Sequence, residues 1–298
     1  MTDHAPRLSI VIPCFNSEAT IGAQLSALAD QTTQYWWEVL VSDNGSCDNT
    51  LAIATRFRDR IERLQLVDAS ARRGAAYARN TGAKAAAGDT LLFCDADDVM
   101  GEDYIEAMGR ALERDDFVAC RYDFRKLNTS WLAAARGSSA EGQGQGLAGG
   151  YCHPTLPYAG AGGLGIKKSI HDAVNGFDMT LGAMAGQEDT DYCIRVQLAG
   201  TPLVFVHDAV MHVRFRQTVP GVFRQAWAWA ESGAHVKRRY LPDDASQSFR
   251  AMAYDLARHL GWKLIRVRRR ADLAQWIWLA GWCGGLLSAR RTVERTRG

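Results

Sequence analysis

The sequence has no CxxC pair. Its seven cysteines, Cys14, Cys47, Cys94, Cys120, Cys152, Cys193 and Cys283, are odd in number and widely spaced. That argues against a disulfide framework or a structural zinc site. Several lie in apolar runs, where a thiol packs as a small hydrophobe, and a reducing cytosol fits them best. No GxGxxG follows the first apolar run, which argues against a dinucleotide site of the usual kind. No GxxxxGK[ST] occurs, which argues against a P-loop ATPase. The first residues, Met1 to Arg7, carry no apolar core of signal-peptide length. The net charge is only +2, which points to no particular partner, and no nucleic-acid recognition motif accompanies the basic residues. The apolar stretch from Leu273 to Ala289 is 17 residues long, with Gln275 and three glycines inside. A membrane-spanning helix needs about 20.

What is present is an ordinary globular composition, 47% hydrophobic and 23% charged, in 298 residues. That length suits one large domain or two small ones. From Arg258 onward ten basic residues face only Asp272 and Glu294, while the rest of the chain is mildly acidic.

Short apolar runs alternate with helical patterns along the first 125 residues. Strands are expected at Leu8–Ile12, Glu38–Val41, Arg63–Val67, Leu91–Cys94 and Phe117–Phe124. Helices are expected from Asn16 or Ser17, which can cap one, from Asp48, over Ala75–Ala87 and over Glu102–Arg114. This alternation of strands and helices predicts an α/β fold with a mostly parallel sheet flanked by helices. Further on, Gly137 to Gly150 reads as a surface loop or a substrate-gating lid. Gly162-Gly163 permits close approach of a ligand or tight packing against a neighbour. A helix is expected from Glu188, then a strand or pair over Leu203–Val206 and Val210–Val213. Beyond Val222 the chain reads as helical and rich in tryptophan, with a further helix from Pro242.

Two acidic clusters stand out. Asp95-Ala96-Asp97-Asp98 breaks off an apolar strand, at the strand end where open α/β sheets bind ligands. Clustered carboxylates repel one another unless a proton or cation lies between them. An acidic turn capping the next helix is the ordinary alternative. Glu188-Asp189 opens a helix, where acids also simply complement the helix dipole. Asn16 and Asp43-Asn44 end two other strands at the same predicted edge. His212 lies among apolar residues, beside Arg214 and Arg216; it is either a structural histidine or part of an anion or metal site.

In order and spacing these motifs resemble the family 2 glycosyltransferases of the inverting GT-A type. The resemblance rests on Ile10-Val11-Ile12-Pro13-Cys14-Phe15-Asn16, on Val41-Ser42-Asp43-Asn44-Gly45-Ser46, on Gly74 to Gly82 with Arg79-Asn80 followed by Asp95-Ala96-Asp97-Asp98, and on Gly176-Phe177-Asp178 followed by Glu188-Asp189 with Arg195. It covers roughly residues 8–216. It implies a Rossmann-like nucleotide-diphospho-sugar transferase fold. A catalytic domain would span 1–216, with a donor half 1–125 and an acceptor half 126–216. A helical, basic, Trp-rich extension would span 217–298.

The resemblance further implies a nucleoside-diphosphate sugar donor held by Pro13, Phe15, Asn16, Asp43, Asn44, Arg79 and Asp95. Mg²⁺ or Mn²⁺ would sit on Asp95, Asp97, Asp98 and His212, with Arg214 and Arg216 near the diphosphate. Asp189 matches the catalytic base, and Glu188 would shape the acceptor site. The acceptor, whether a glycan, a lipid-linked molecule or a small molecule, is not legible. Three departures are visible. Phe15 stands where tyrosine is frequent, Ser42 leaves a single aspartate beside Asn44, and no QxxRW occurs. Gln225-Ala226-Trp227-Ala228-Trp229 is only a superficial echo of that motif, so a non-processive enzyme is expected. The alternatives are a sugar-nucleotide nucleotidyltransferase, which usually has a Gly-rich basic loop where this chain has Pro13-Cys14-Phe15-Asn16, or an inactive nucleotide-sugar binder. Aromatic residues flanked by arginines make 273–289 either an interfacial segment touching the inner face of a membrane or a helix packed on the body of a cytoplasmic protein.

Overall fold

The computed structural model describes residues 7–133, 146–149, 152–181, 186–241, 254–255 and 258–296. Most of the expected 137–150 loop and the helix expected from Pro242 lie outside the described residues. Apart from the unexpected two-residue β5, the first half alternates as the sequence predicts: β1 (Leu8–Cys14), α1 (Ile21–Ala29), β2 (Trp37–Asp43), α2 (Thr50–Thr55), β3 (Leu64–Asp68), α3 (Ala75–Ala85), β4 (Thr90–Phe93), β5 (Val99–Met100), α4 (Tyr104–Leu112) and β6 (Phe117–Asp123). Then follow β7 (Leu164–Lys167), α5 (Lys168–Ala173), α6 (Glu188–Leu198), β8 (Val204–His212), α7 (Val219–Tyr240) and α8 (Arg270–Thr296).

One eight-stranded sheet runs β3-β2-β1-β4-β7-β6-β8-β5. β3, β2, β1 and β4 are parallel. β7 enters antiparallel between β4 and β6. β8 pairs parallel with β6, and the two-residue β5 caps that edge antiparallel. The central strands are buried on both faces. Leu8, Ile10, Ile12 and Leu92 pack on one side with α1 and α4. Val11, Leu91 and Phe93 pack on the other with α3 and α6. This two-sided burial explains why the strands read as continuous apolar runs.

Three expected boundaries shift. α1 begins at Ile21, not at Asn16, because Asn16 adopts a left-handed φ of 50° inside a turn. α2 begins at Thr50; the Asp48 carboxylate accepts from the Thr50 backbone N–H at 3.0 Å just ahead of it. The strand or pair expected over 203–213 is one strand, β8, whose register against β6 jumps between Cys120 and Arg121. That irregularity lets one strand look like two in the sequence.

α7 and α8 pack against each other through Ala230, Ala234, Leu286 and Ala289. A Cβ at Gly285 would collide with the Trp227 carbonyl oxygen, so the glycines predicted to interrupt a membrane segment instead let two helices close up. Ala274, Ile277, Cys283, Leu286 and Ala289 are buried in this way. Among the described residues no helix is long and apolar enough to cross a membrane. Thr218 caps α7 by accepting from the Gly221 N–H.

The pair is fastened to the body by Asp191 on α6. This carboxylate is fully buried and accepts from Arg195 Nε at 2.7 Å, from an Arg239 guanidinium nitrogen at 2.7 Å and from the Tyr240 hydroxyl at 2.8 Å. Arg239 also meets Asp178 at 2.9 Å. A buried charge survives only when compensated this fully.

Candidate active site

The carboxylates that follow β4 gather where that strand ends. Ligand atoms of Asp95, Asp97 and Asp98 lie within 4.8 Å of one another. Burial first, and then the Asp95 charge, raises the Asp97 carboxyl. Burial, then Asp97 and Asp95, pushes Asp98 well up. Carboxyls forced together in this way are a hard-oxygen donor set suited to Mg²⁺ or Mn²⁺. Asp98 also accepts from the Arg214 backbone N–H at 2.9 Å. Arg214 Nε donates to the Asp97 carbonyl at 3.0 Å, and Arg216 approaches the Asp97 carboxylate at 3.6 Å. Both arginines therefore stand at the acidic cluster.

Arg79 joins the two acidic motifs. Projecting from α3, its guanidinium is 5% exposed and donates to Asp95 Oδ1 at 2.7 Å and Glu188 Oε1 at 2.9 Å. Glu188 Oε2 is buried without a partner. Glu188 thus serves as the counter-ion of Arg79 while its side chain also lines the cleft described below. The other oxygen of Asp95, Oδ2, faces Gly162. A Cβ there would stand 2.8 Å from it, so the Gly162 question resolves to close packing against a site carboxylate.

Asp189 follows Glu188 on the first turn of α6. Its Oδ1 accepts from the Thr190 N–H at 2.7 Å. Burial, then the neighbouring Glu188 charge, raises its carboxyl to about 7. A carboxylate poised there is half in its basic form near neutrality.

His212 pairs with the end of β6. Its Nδ1 contacts the Asp123 carboxylate at 2.7 Å, and its Nε2 lies 3.4 Å from Lys126 Nζ. Among the described residues the gathered carboxylate group comprises Asp95, Asp97 and Asp98, without His212. Asp123, at the end of β6, holds the imidazole aside; a strand ending in aspartate was the sequence signal for it.

The groups expected to hold a nucleotide sit beyond β1 and β2. Pro13 lies within β1. Phe15 is 48% exposed, and the Arg73 guanidinium stacks over its ring at 4.3 Å. The sequence alone did not single out Arg73. Asp43 is buried and accepts from the Gly45 and Ser46 N–H groups and from the Cys14 thiol. Asn16 accepts from the Cys47 N–H, which ties the first loop to the second. Asn44 turns its side chain toward the loop before α3. Its amide donates to the Ala69 and Arg72 carbonyls, and its Oδ1 accepts from the Gly74 N–H. Both amide hydrogens are thereby committed to bracing the loop before α3.

A cleft of about 1050 Å³ unites the acidic cluster, Arg79, Glu188 and Asp189. Its far wall comes from the C-terminal helices: Gln225 and Trp229 of α7, and Trp278 and Trp282 of α8. Gln225, Ala228 and Trp229 of that stretch therefore reach the cleft, although its sequence is only an echo of a known motif. Trp278 meets Trp229 edge-on at 5.5 Å and stacks near Trp282 at 6.2 Å. Helical spacing shows which tryptophans share a face, but not that two helices would carry them to the same cleft.

The glycosyl transferase family 2 model matches residues 9–174, more than half of the chain. The chain belongs to that family. Family 2 relatives include a validoxylamine A glucosyltransferase of Streptomyces hygroscopicus subsp. limoneus, 36% identical over 108 residues that cover 36% of this chain and 24% of that protein. Another is the UDP-Glc:alpha-D-GlcNAc-diphosphoundecaprenol beta-1,3-glucosyltransferase WfgD of Escherichia coli, 41% identical over 92 residues that cover 31% of this chain and 35% of that protein. The matched stretches thus span only about a quarter to a third of these curated relatives. Among solved structures, the mannosyltransferase PcManGT from Pyrobaculum calidifontis in complex with GDP-Man and Mn²⁺ superposes with a TM-score of 0.65 at 18% identity, covering 97% of this chain and 88% of that one. S. aureus TarS 1–349 in complex with UDP gives 0.56 at 16%, covering 96% and 92%. At these identities the likeness is one of fold, and the fold is GT-A.

Proposed function

We propose that this family 2 protein is an inverting glycosyltransferase that moves a sugar from a nucleoside-diphosphate donor to an acceptor hydroxyl. One observation carries the reading: a gathered carboxylate trio and a separate carboxylate tuned to about 7 face the same cleft. The two clusters suit two tasks that one group could not perform together. The named activities of the relatives and the GDP-Man and UDP in the superposed structures support a nucleotide-sugar donor.

In this reading the nucleoside lies over Phe15 and Asp43, and the diphosphate reaches Asp95, Asp97 and Asp98. Those three would hold Mg²⁺ or Mn²⁺, which when bound would offset the charge growing on the departing nucleoside diphosphate. Arg79 fixes Asp95 in place, and Arg214 and Arg216 add positive charge beside it. Asp189 takes the proton of the acceptor hydroxyl as that oxygen attacks the anomeric carbon from the face opposite the diphosphate. The acceptor lies against Trp229 and Trp278. Residues 1–216 then supply the acidic groups, and 217–298 close the same cleft with Trp229, Trp278 and Trp282.

Calorimetric titration of UDP and GDP with and without Mn²⁺, followed by assay of diphosphate release from the matching nucleotide sugars, tests this. Asp189→Asn is expected to keep nucleotide binding and to lose release by roughly 10²–10⁴-fold. Normal turnover by that variant would remove Asp189 from the role of base.

A further inference from the structure

The segment that leads into α8 carries a surface outside the cleft. Residues 258–264 form a short helix, followed by a turn. On it Trp262 is 54% exposed, Leu264 53% and Ile265 83%. Single exposed apolar side chains are common, but three large ones within four residues form a patch that calls for a partner. The same stretch is strongly basic. Arg258, Arg266, Arg268, Arg269 and Arg270 are all exposed, and Lys263 is partly so. The acids nearby are Asp255 and Asp272. Asp272 is already occupied, accepting from the Arg268 and Arg269 backbone N–H groups at 3.2 and 2.9 Å.

The patch is ordered. The Arg266 guanidinium lies 3.4 Å above the Trp262 ring, one helical turn away. The Trp276 indole N–H donates to the Leu260 carbonyl at 3.0 Å, which pins the segment onto α8. These side chains therefore present a fixed platform, with apolar tips set among guanidinium groups.

We propose that this platform docks the protein on a bilayer rich in anionic headgroups. Trp262, Leu264 and Ile265 enter the boundary between headgroups and acyl chains, and the arginines meet lipid phosphates. The charge complementarity is direct, and the apolar tips select a bilayer over a nucleic acid, whose backbone offers charge without an apolar layer. This location differs from the one that the tryptophan-rich sequence suggests. Residues 273–289 are largely taken up by helix packing and the cleft wall, with Leu273 and Leu287 exposed singly, and it is the preceding segment that presents the cluster of outward apolar side chains. α8 starts at this platform and carries Trp278 into the cleft. Docking there places the cleft beside the membrane surface.

The test is sedimentation of the full chain with vesicles of phosphatidylcholine alone, or with one third phosphatidylglycerol, at 0.15 M and 0.5 M salt. Binding is expected to the anionic vesicles, to be weak on neutral ones, and to fall at high salt. Trp262→Ser with Ile265→Ser is expected to lower partitioning at least about tenfold. Arg266→Gln and Arg269→Gln are each expected to lower it roughly fivefold. Circular dichroism melts of the variants should match the parent, since every altered side chain is exposed. Absence of vesicle binding by the folded parent would overturn the proposal. So would binding indifferent to these substitutions, or a preference for RNA over anionic vesicles at equal salt. Loss of a dimer in the Trp262→Ser, Ile265→Ser variant with vesicle binding intact would assign the patch to a second copy instead.

Discussion

Replacing Arg79 by methionine tests how the two acidic motifs are held together. The guanidinium is 5% exposed and bridges Asp95 and Glu188. Methionine fills much of the same volume but carries no charge. Glu188, with its Oε2 already unpartnered, becomes an uncompensated buried carboxylate. Breaking a buried pair from one side costs about 3–5 kcal/mol. The Asp95 side chain is 35% exposed, so water takes up most of its loss, and it adds little. The total is a large share of the roughly 5–15 kcal/mol that holds a domain together. At roughly 2–4 °C per kcal/mol for a chain of this size, the melting midpoint should fall by at least about 6 °C. Adding Glu188→Leu removes the stranded charge, and the double variant should recover at least half of the loss, because a buried pair replaced by apolar groups is often close to neutral. Differential scanning calorimetry at pH 7 reads both shifts. An Arg79→Met midpoint within 2 °C of the parent, or a double variant no better than the single one, would refute the bridge as a stabilising element.

Three other outcomes follow from the same geometry. Because the Asp189 carboxyl sits near 7 and must lose its proton to act, kcat/KM should rise with pH through about 7 and level off above it; a flat profile between pH 5 and 9 would remove Asp189 from the rate. Gly162→Ala puts a methyl against Asp95 Oδ2, so it should weaken Mn²⁺-dependent nucleotide binding about tenfold while costing about 1–3 kcal/mol in urea unfolding; unchanged affinity would show that Asp95 moves freely. Asp191→Ala leaves Arg239 and Tyr240 without their shared carboxylate and should cost about 3–5 kcal/mol, measured by urea unfolding; a cost under about 1 kcal/mol would mean that α7 is held by its apolar face alone.

The donor side of the molecule was legible because its rules are local. Leu91 to Cys94 is buried on both faces and reads as an apolar run, and the carboxylates after it break that run abruptly. The other side depends on pairings that no local pattern announces. β7 is four residues long, lies in a glycine-rich stretch and enters antiparallel, and β5 has only two residues directly after the acidic cluster. Asn44 and His212 show a different limit. A polar side chain at a strand end looks the same in sequence whether its hydrogen bonds go to a ligand or to the protein. Here Asn44 spends them on the 69–74 loop, and His212 on Asp123. The aromatic wall was hidden because Trp229 and Trp278 are far apart in the chain and meet only when α7 and α8 pair.

That pairing sets an order of events during synthesis. The carboxylates, Arg79 and the whole sheet are complete once His212 has been made. A ribosome-bound chain can close this sheet before α8 has emerged from the exit tunnel. At that moment the nascent protein holds its charged groups in place but has no far wall. The cleft is finished only when Leu286 and Ala289 emerge and α8 locks against Ala230 and Ala234. α8 thus acts as a timer that delays a working pocket until the sheet is already in place.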